Sequence, residues 1–373
     1  MAFGLEVLGA MCRQDPTGNV LLSPSSLASA LGMAYLGARG QTAAAMASVL
    51  HLPASGSLEA GLQARSKAIR SLDGPGVTVA EADKVWADPT IGLPYRHFLN
   101  AVATGYDAGL GRVPLNADPA RAASDIDAAI AAATKGHIAH LLSAQDLVGA
   151  DFVLTDALYL DAKWATPFHS SQLTTGRFTA ADGMDVQARY LNGQDYASAT
   201  ADGWSAVSLP YQGGRLAMTA LLPPATSVQP GDSCPIPAAG VLSALTRTLQ
   251  SRQNPDDTVM ELPEASIRSA EDLGGPGGVL ANLGMGVAFS GQADFAGMSR
   301  QPVQIGPVVQ GATLRVGPGG TVGSAATGVV MMPTSLQVNP PSVDFDRPYL
   351  LLVTSASTGE PLFLARVANP AQS

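Results

Sequence analysis

The chain has 373 residues, 46% of them hydrophobic and 14% charged, which describes a folded globule and not a disordered segment. A net charge of −9, with lysine only at positions 67, 84, 135 and 163, provides no clustered basic face for nucleic acid or a glycosaminoglycan. No apolar run reaches the length of a membrane span, and Cys12 and Cys234 define no disulfide framework, so they read as two unrelated thiols.

In chain order, residues 25–35 and the Ala-rich 42–50 carry helical periodicity, the latter stopped by Leu52-Pro53. Strands follow at 77–86 and, after a helix at 120–133, at 151–159, which has too little polar alternation for a surface edge. Residues 190–195 and 206–210 are short strands, and 216–222 is a strong one closed by Pro223-Pro224. The Pro/Ser-rich stretch 225–237 reads as a loop, and strands at 259–267, 312–316 and 350–354 complete a strand-rich second half. Mixed helices and largely antiparallel strands indicate an α+β fold. The length invites two domains, but no linker, charge run or repeat divides the chain, so residues 1–373 read as one domain.

Residues 320–328, GTVGSAATG, stand out as a run of small side chains before the apolar stretch VVMMPTSLQVNPPSVDF. In period-2 geometry Thr321, Gly323, Ala325 and Thr327 share one face, with Val322, Ser324 and Ala326 on the other. Ordinary buried strands carry bulky β-branched residues here. A segment that alternates between solvent and a sheet interior needs small ones, because bulk would be exposed in one state and overpacked in the other. A Gly/Ala/Ser-rich surface loop is the competing reading, and this window alone does not choose.

The C-terminal blocks DRPYLL (346–351) and PLFLARVANP (361–370) resemble the terminal signature of the serpin family. NVLLSPSS (19–26) with LGARGQT (36–42) resembles the start of serpin helix B, and AFGLEVLGAM (2–11) reads as its helix A. YLDAKWATPF (159–168), LPY (209–211), LGM (283–285) and ADFAG (293–297) are similar to further serpin blocks in the same order. The resemblance implies three β-sheets with a large central sheet A, about eight or nine helices and an exposed reactive-centre loop at approximately 318–342. It places a proximal hinge at Gly320, Thr321, Val322, Gly323, Ser324, Ala325, Ala326 and Thr327. It also implies a polar shutter of Ser23, Ser26, Asp156 and Gln310, and a breach residue, Trp164, that first packs the top of the sheet.

No enzyme motif competes: nucleophile elbow, Ser-x-x-Lys, P-loop and dinucleotide fingerprint are all missing. His137 and His140 are the one close histidine pair, with no third ligand spaced to join them; His137 reads as standing in for a surface lysine of the family. The resemblance therefore implies a protease inhibitor that is not itself an enzyme, with no cofactor and no metal, expected as a monomer. Its partner is a target serine protease, or less favourably a cysteine protease, trapped as an acyl-enzyme when the cleaved loop inserts into sheet A. Compartment stays open: secreted if a leader has been removed, cytoplasmic otherwise. Counting from Thr321 puts the cleaved bond at Thr334–Ser335, after Pro333; counting back from Asp346 moves it to Leu336 or Gln337. The insertion count takes precedence, because inserted length sets the trapping geometry.

Departures from the family pattern bear on that expectation. Pro318-Gly319 replaces two acidic residues before the hinge, and Val287 is read as standing where relatives place their lysine partner. Gly323 and Ser324 replace alanines, which raises the entropic cost of forming a strand. Asp156 stands for Asn and Gln310 for His. The other reading is a non-inhibitory binding or chaperone-like serpin whose loop is cut as a plain substrate.

Overall fold

The computed structural model describes residues 1–373 other than 53–57, 82–83, 92–93, 107–109, 226–233, 252–257, 322–340 and 373. Its helices are α1 (Ala2–Gln14), α2 (Pro24–Gly37), α3 (Gly40–Val49), α4 (Leu58–Arg70), α5 (Arg96–Tyr106), α6 (Pro119–Ala133) and α7 (Ala239–Ser251). The strands begin with β1 (Val20–Leu22), β2 (Val77–Glu81), β3 (Lys84–Ala87), β4 (Leu110–Arg112), β5 (Phe152–Lys163), β6 (Leu173–Thr179), β7 (Asp185–Ala201) and β8 (Trp204–Pro210). They continue with β9 (Leu216–Leu222), β10 (Thr258–Pro263), β11 (Ala265–Asp272), β12 (Ile305–Gly317), β13 (Gly320–Thr321), β14 (Ser342–Asp344), β15 (Tyr349–Ser355) and β16 (Pro361–Val367).

Local chemistry accounts for where the helices start. Ser23 Oγ accepts the Ser26 amide at 3.4 Å and Pro24 takes the first turn of α2, where its missing N–H leaves no bond unmade. Asp118 and Pro119 do the same for α6, with the Asp118 carboxylate accepting the Arg121 amide at 3.0 Å.

One sheet runs β11-β12-β13-β5-β3-β4, with β2 also on β5. In the other system, β7 is shared: residues 185–196 pair with β6 and β10, which carries β14, and residues 197–201 pair with β8, leading on to β9, β15, β16 and β1. That division makes three sheets. Between the two systems lies a core that includes Leu158, Leu160, Leu314, Val316, Tyr349 and Phe363. A second core lies under α1, α2 and α3, and a third joins α6 and the residues after it to β5 and β12.

Four sequence expectations change. The short strand read at 190–195 is the middle of the 17-residue β7, which serves two sheets in turn. Residues 259–267 are two strands, because β10 pairs with β7 and β14 while β11 pairs with β12, and the chain changes sheets at Pro263-Glu264. The strand read at 312–316 begins at Ile305: Gly306, Pro307 and Gly311 mask it, although Gly306 lies where a Cβ would meet the Phe152 carbonyl at 2.7 Å. Cys12 and Cys234 are not separate thiols but a disulfide with Cα atoms 5.5 Å apart. They lie 222 residues apart in sequence, and they meet because the segment entering α7 lies on α1, with Ile236 beside Gly9.

Candidate functional site

Through most of their length β12 and β5 form a parallel ladder, from Ile305 opposite Phe152 to Thr313 opposite Tyr159. Beyond that rung they part, and Gly320–Thr321 lies between them. Thr321 pairs with Val316 on one side and Ala162 on the other, and Gly320 with Gly317 and Lys163, antiparallel to both. Gly320 sits at φ +147°, and a Cβ there would meet the Ala162 carbonyl at 2.1 Å, so both backbone conformation and space demand glycine.

A cluster of buried groups holds these two residues. Trp164 donates its indole N–H to the Gly317 carbonyl at 2.9 Å and its backbone N–H to the Gly319 carbonyl at 3.1 Å. The Phe168 amide donates to the Pro318 carbonyl at 2.9 Å. Trp164 stacks on Tyr211 with ring centroids 4.6 Å apart, and Tyr211 Oη bonds the fully buried Thr321 Oγ1 at 2.5 Å. Burial pushes the Tyr211 phenol well above the usual tyrosine range, so it stays protonated and available for that bond. Sequence reasoning named Trp164 but missed Tyr211, which entered only as part of the LPY block.

Lower on the ladder, Gln310 fastens β12 to the start of α2. Its Oε1 accepts the Ser23 amide at 2.9 Å and its Nε2 donates to the Ser23 carbonyl at 3.0 Å, with both residues fully buried. Gln310 lies opposite Asp156 in register, so Ser23, Ser26, Gln310 and the backbone of Asp156 are brought together at mid-sheet; the Asp156 side chain lies outside what the structure describes. Hinge residues Val322, Gly323, Ser324, Ala325, Ala326 and Thr327 and the bond Thr334–Ser335 also lie outside the described residues.

The two histidines separate in space. His137 stacks on Tyr159 at 3.9 Å, beside the last rung before the strands part, whereas His140 Nδ1 lies 3.6 Å from the Asp127 carboxylate. Val287 belongs instead to a 3-10 turn at Gly286–Phe289 packed on α3, and the charged side chains that share a cleft with Pro318 and Gly319 are Arg189, Glu264 and Arg315. Sequence spacing could not reveal this, because β11 brings residue 264 to the top of the sheet and carries 287 away from it.

Comparison with known proteins agrees with this geometry. The family model described as "Serpin (serine protease inhibitor)" matches residues 1–370. Leukocyte elastase inhibitor of Bos taurus is 28% identical over 386 residues, covering 99% of this chain and 97% of that protein. Among solved structures, a native thermophilic serpin, tengpin, superposes with a TM-score of 0.84 at 21% identity, over 98% of this chain and 92% of its own. Human thyroxine-binding globulin complexed with its hormone reaches 0.83 at 23%, over 99% and 97%. With the family model matching residues 1–370 and the fold shared with solved serpins, this chain belongs to the serpin family.

Proposed function

We propose that this serpin inhibits a serine protease as a suicide substrate, and the observation that carries the reading is the seating of Gly320–Thr321 between two strands that are otherwise paired in parallel. The protease's serine oxygen forms an ester with the Thr334 carbonyl, the Thr334–Ser335 peptide bond breaks, and Ser335 leaves as a free amine. The freed segment continues β13 down the sheet and replaces one parallel ladder with two antiparallel ones, which are slightly more stable per residue. At a net ~0.5–1.5 kcal/mol per hydrogen bond, a strand of this length gains on the order of 10 kcal/mol before packing. The uncut form is thus held by a barrier and not by equilibrium. Small side chains from Val322 to Thr327 favour insertion. No Arg or Lys occurs between Thr321 and Val343, which favours an elastase-like or subtilisin-like target over a trypsin-like one.

A second reading, a binding serpin cut as a plain substrate, draws support from Pro318-Gly319 and Glu264, which do not reproduce the family's charge pairing at this point. Incubation with pancreatic elastase, subtilisin and chymotrypsin separates the two. Inhibition gives a band at the summed mass that survives denaturation, with a released peptide beginning at Ser335; clean cleavage without that band supports the second reading. Ala325→Pro and Thr327→Arg are expected to lose at least nine-tenths of the stable band while still being cut. An undiminished band in both variants would exclude insertion.

A further inference from the structure

Above the Pro318-Gly319 turn the surface folds into a cleft of about 560 Å³, a volume suited to a small organic ligand. Phe168, Leu173, Val316, Pro318 and Pro370 supply apolar walls. Three charged side chains line it as well: Arg189, Glu264 and Arg315. Arg189 Nη2 lies 3.4 Å from Glu264 Oε1, so these two charges offset each other. Arg315, exposed at the end of β12, has no acidic partner among the described residues. The cleft therefore combines an apolar body with one uncompensated positive charge.

We propose that this cleft binds a small amphipathic carboxylate, its chain against Phe168 and Leu173 and its carboxylate on Arg315, and that occupancy holds the 317–321 hairpin seated in the sheet. The link to the hairpin is geometric. Gly317, Pro318 and Gly319 form part of the cleft wall, and their positions depend on the Gly317–Gly320 pairing and on the bonds from Trp164 and Phe168. Withdrawing Gly320–Thr321 would dismantle that wall, so a ligand resting on it favours the seated form. The regulatory half of the proposal rests on reading residues 320–321 as the hinge; the binding half does not.

Decanoate, decanol and decylamine, each titrated by calorimetry below its aggregation threshold, test the binding. Decanoate is expected to bind at least tenfold more tightly than the other two. Arg315→Gln is expected to remove most of that preference, because a hydrogen bond to a charged group is lost, while leaving decanol unaffected. Leu173→Trp, which fills the apolar end, is expected to weaken decanoate and decanol alike. Hydrogen exchange at the Gly320 and Thr321 amides reads the coupling: with decanoate at ten times its Kd, opening should slow about elevenfold. Equal affinity for decanoate and decanol, no measurable binding by any of the three, or an unchanged preference in Arg315→Gln would overturn the site. Tight binding with unchanged exchange would overturn the coupling. If no protease yields a stable complex, the inhibitory reading fails while the calorimetry and exchange results still stand.

Discussion

At the scale of single residues, two buried hydrogen-bonding groups keep the sheet as it is. Tyr211 bonds Thr321 at one end of the ladder and Gln310 binds the Ser23 backbone at its middle. In Tyr211→Phe the stack on Trp164 survives but Thr321 Oγ1 loses its partner, a loss of about 1–3 kcal/mol. Hydrogen exchange at residues 320–321 is expected to accelerate by about 5- to 150-fold while the other strands remain protected. Gln310→Leu leaves both the N–H and the C=O of Ser23 without the bonds Gln310 supplies, in a site closed to water, and should cost about 2–4 kcal/mol. A lower denaturation midpoint for the uncut protein would show it; an unchanged midpoint would mean that the strand is held elsewhere.

At the scale of elements, the parallel pairing of β12 with β5 decides what the sheet accepts. A strand entering between them as β13 does is antiparallel to both, and Gly320 is the residue that lets it start. Gly320→Ala should therefore unseat Thr321, because the new methyl meets the Ala162 carbonyl and the backbone conformation is closed to alanine. Exchange at the Trp164 amide, which donates to the Gly319 carbonyl, and at Thr321 is expected to rise toward loop rates with the overall fold retained, and the yield of stable protease complex to fall with it. The cover of the ladder matters too: Ile130, Ile138 and Leu141 pack with Val153, Ala157 and Val309, so the proposed insertion would run beneath α6 and the residues after it.

Across the whole molecule, the family blocks prove to be locks between distant parts of the chain. Asn19 Oδ1 accepts the amides of Ala368 and Asn369 at 2.7 and 2.9 Å, joining the first block to the last. Arg39 and Thr42 tie the second block to Asp294: the Arg39 amide donates to the Asp294 carbonyl, and Thr42 Oγ1 accepts the Asp294 amide at 2.9 Å. Arg347 donates to the Pro223 carbonyl at 2.9 Å. The Cys12–Cys234 disulfide adds a covalent tie across 222 residues. Closing so long a loop stabilises by roughly 5 kcal/mol in the chain-entropy account. Replacing both cysteines by alanine should lower the thermal midpoint measurably, and reductant should lower that of the parent protein but not of the variant.

Sequence alone pointed to the family and the order of its parts through DRPYLL, PLFLARVANP and NVLLSPSS, in which Arg347 and Asn19 bond backbone groups of distant segments. The resemblance also pointed to Gly320, Trp164, Ser23 and Gln310, and the structure places Gly320 and Trp164 at the end of the β12–β5 ladder and Ser23 and Gln310 in one buried polar cluster. Sequence did not identify Tyr211, Glu264, the disulfide, or α4, α5 and α7. The helix α7 carries Leu242, Leu245 and Leu249 at helical spacing, so its pattern was legible but unused. The helices α4 and α5 are amphipathic as well, whereas the disulfide depends on which segments pack together and Tyr211 and Glu264 on which residues the sheets bring side by side. Hydrophobic periodicity records which face of a strand is buried and not which strand lies next to it. Only the tertiary structure decided that β12 and β5 are neighbours running the same way as far as Thr313 and Tyr159, and that they part beyond that rung to seat Gly320–Thr321 between them.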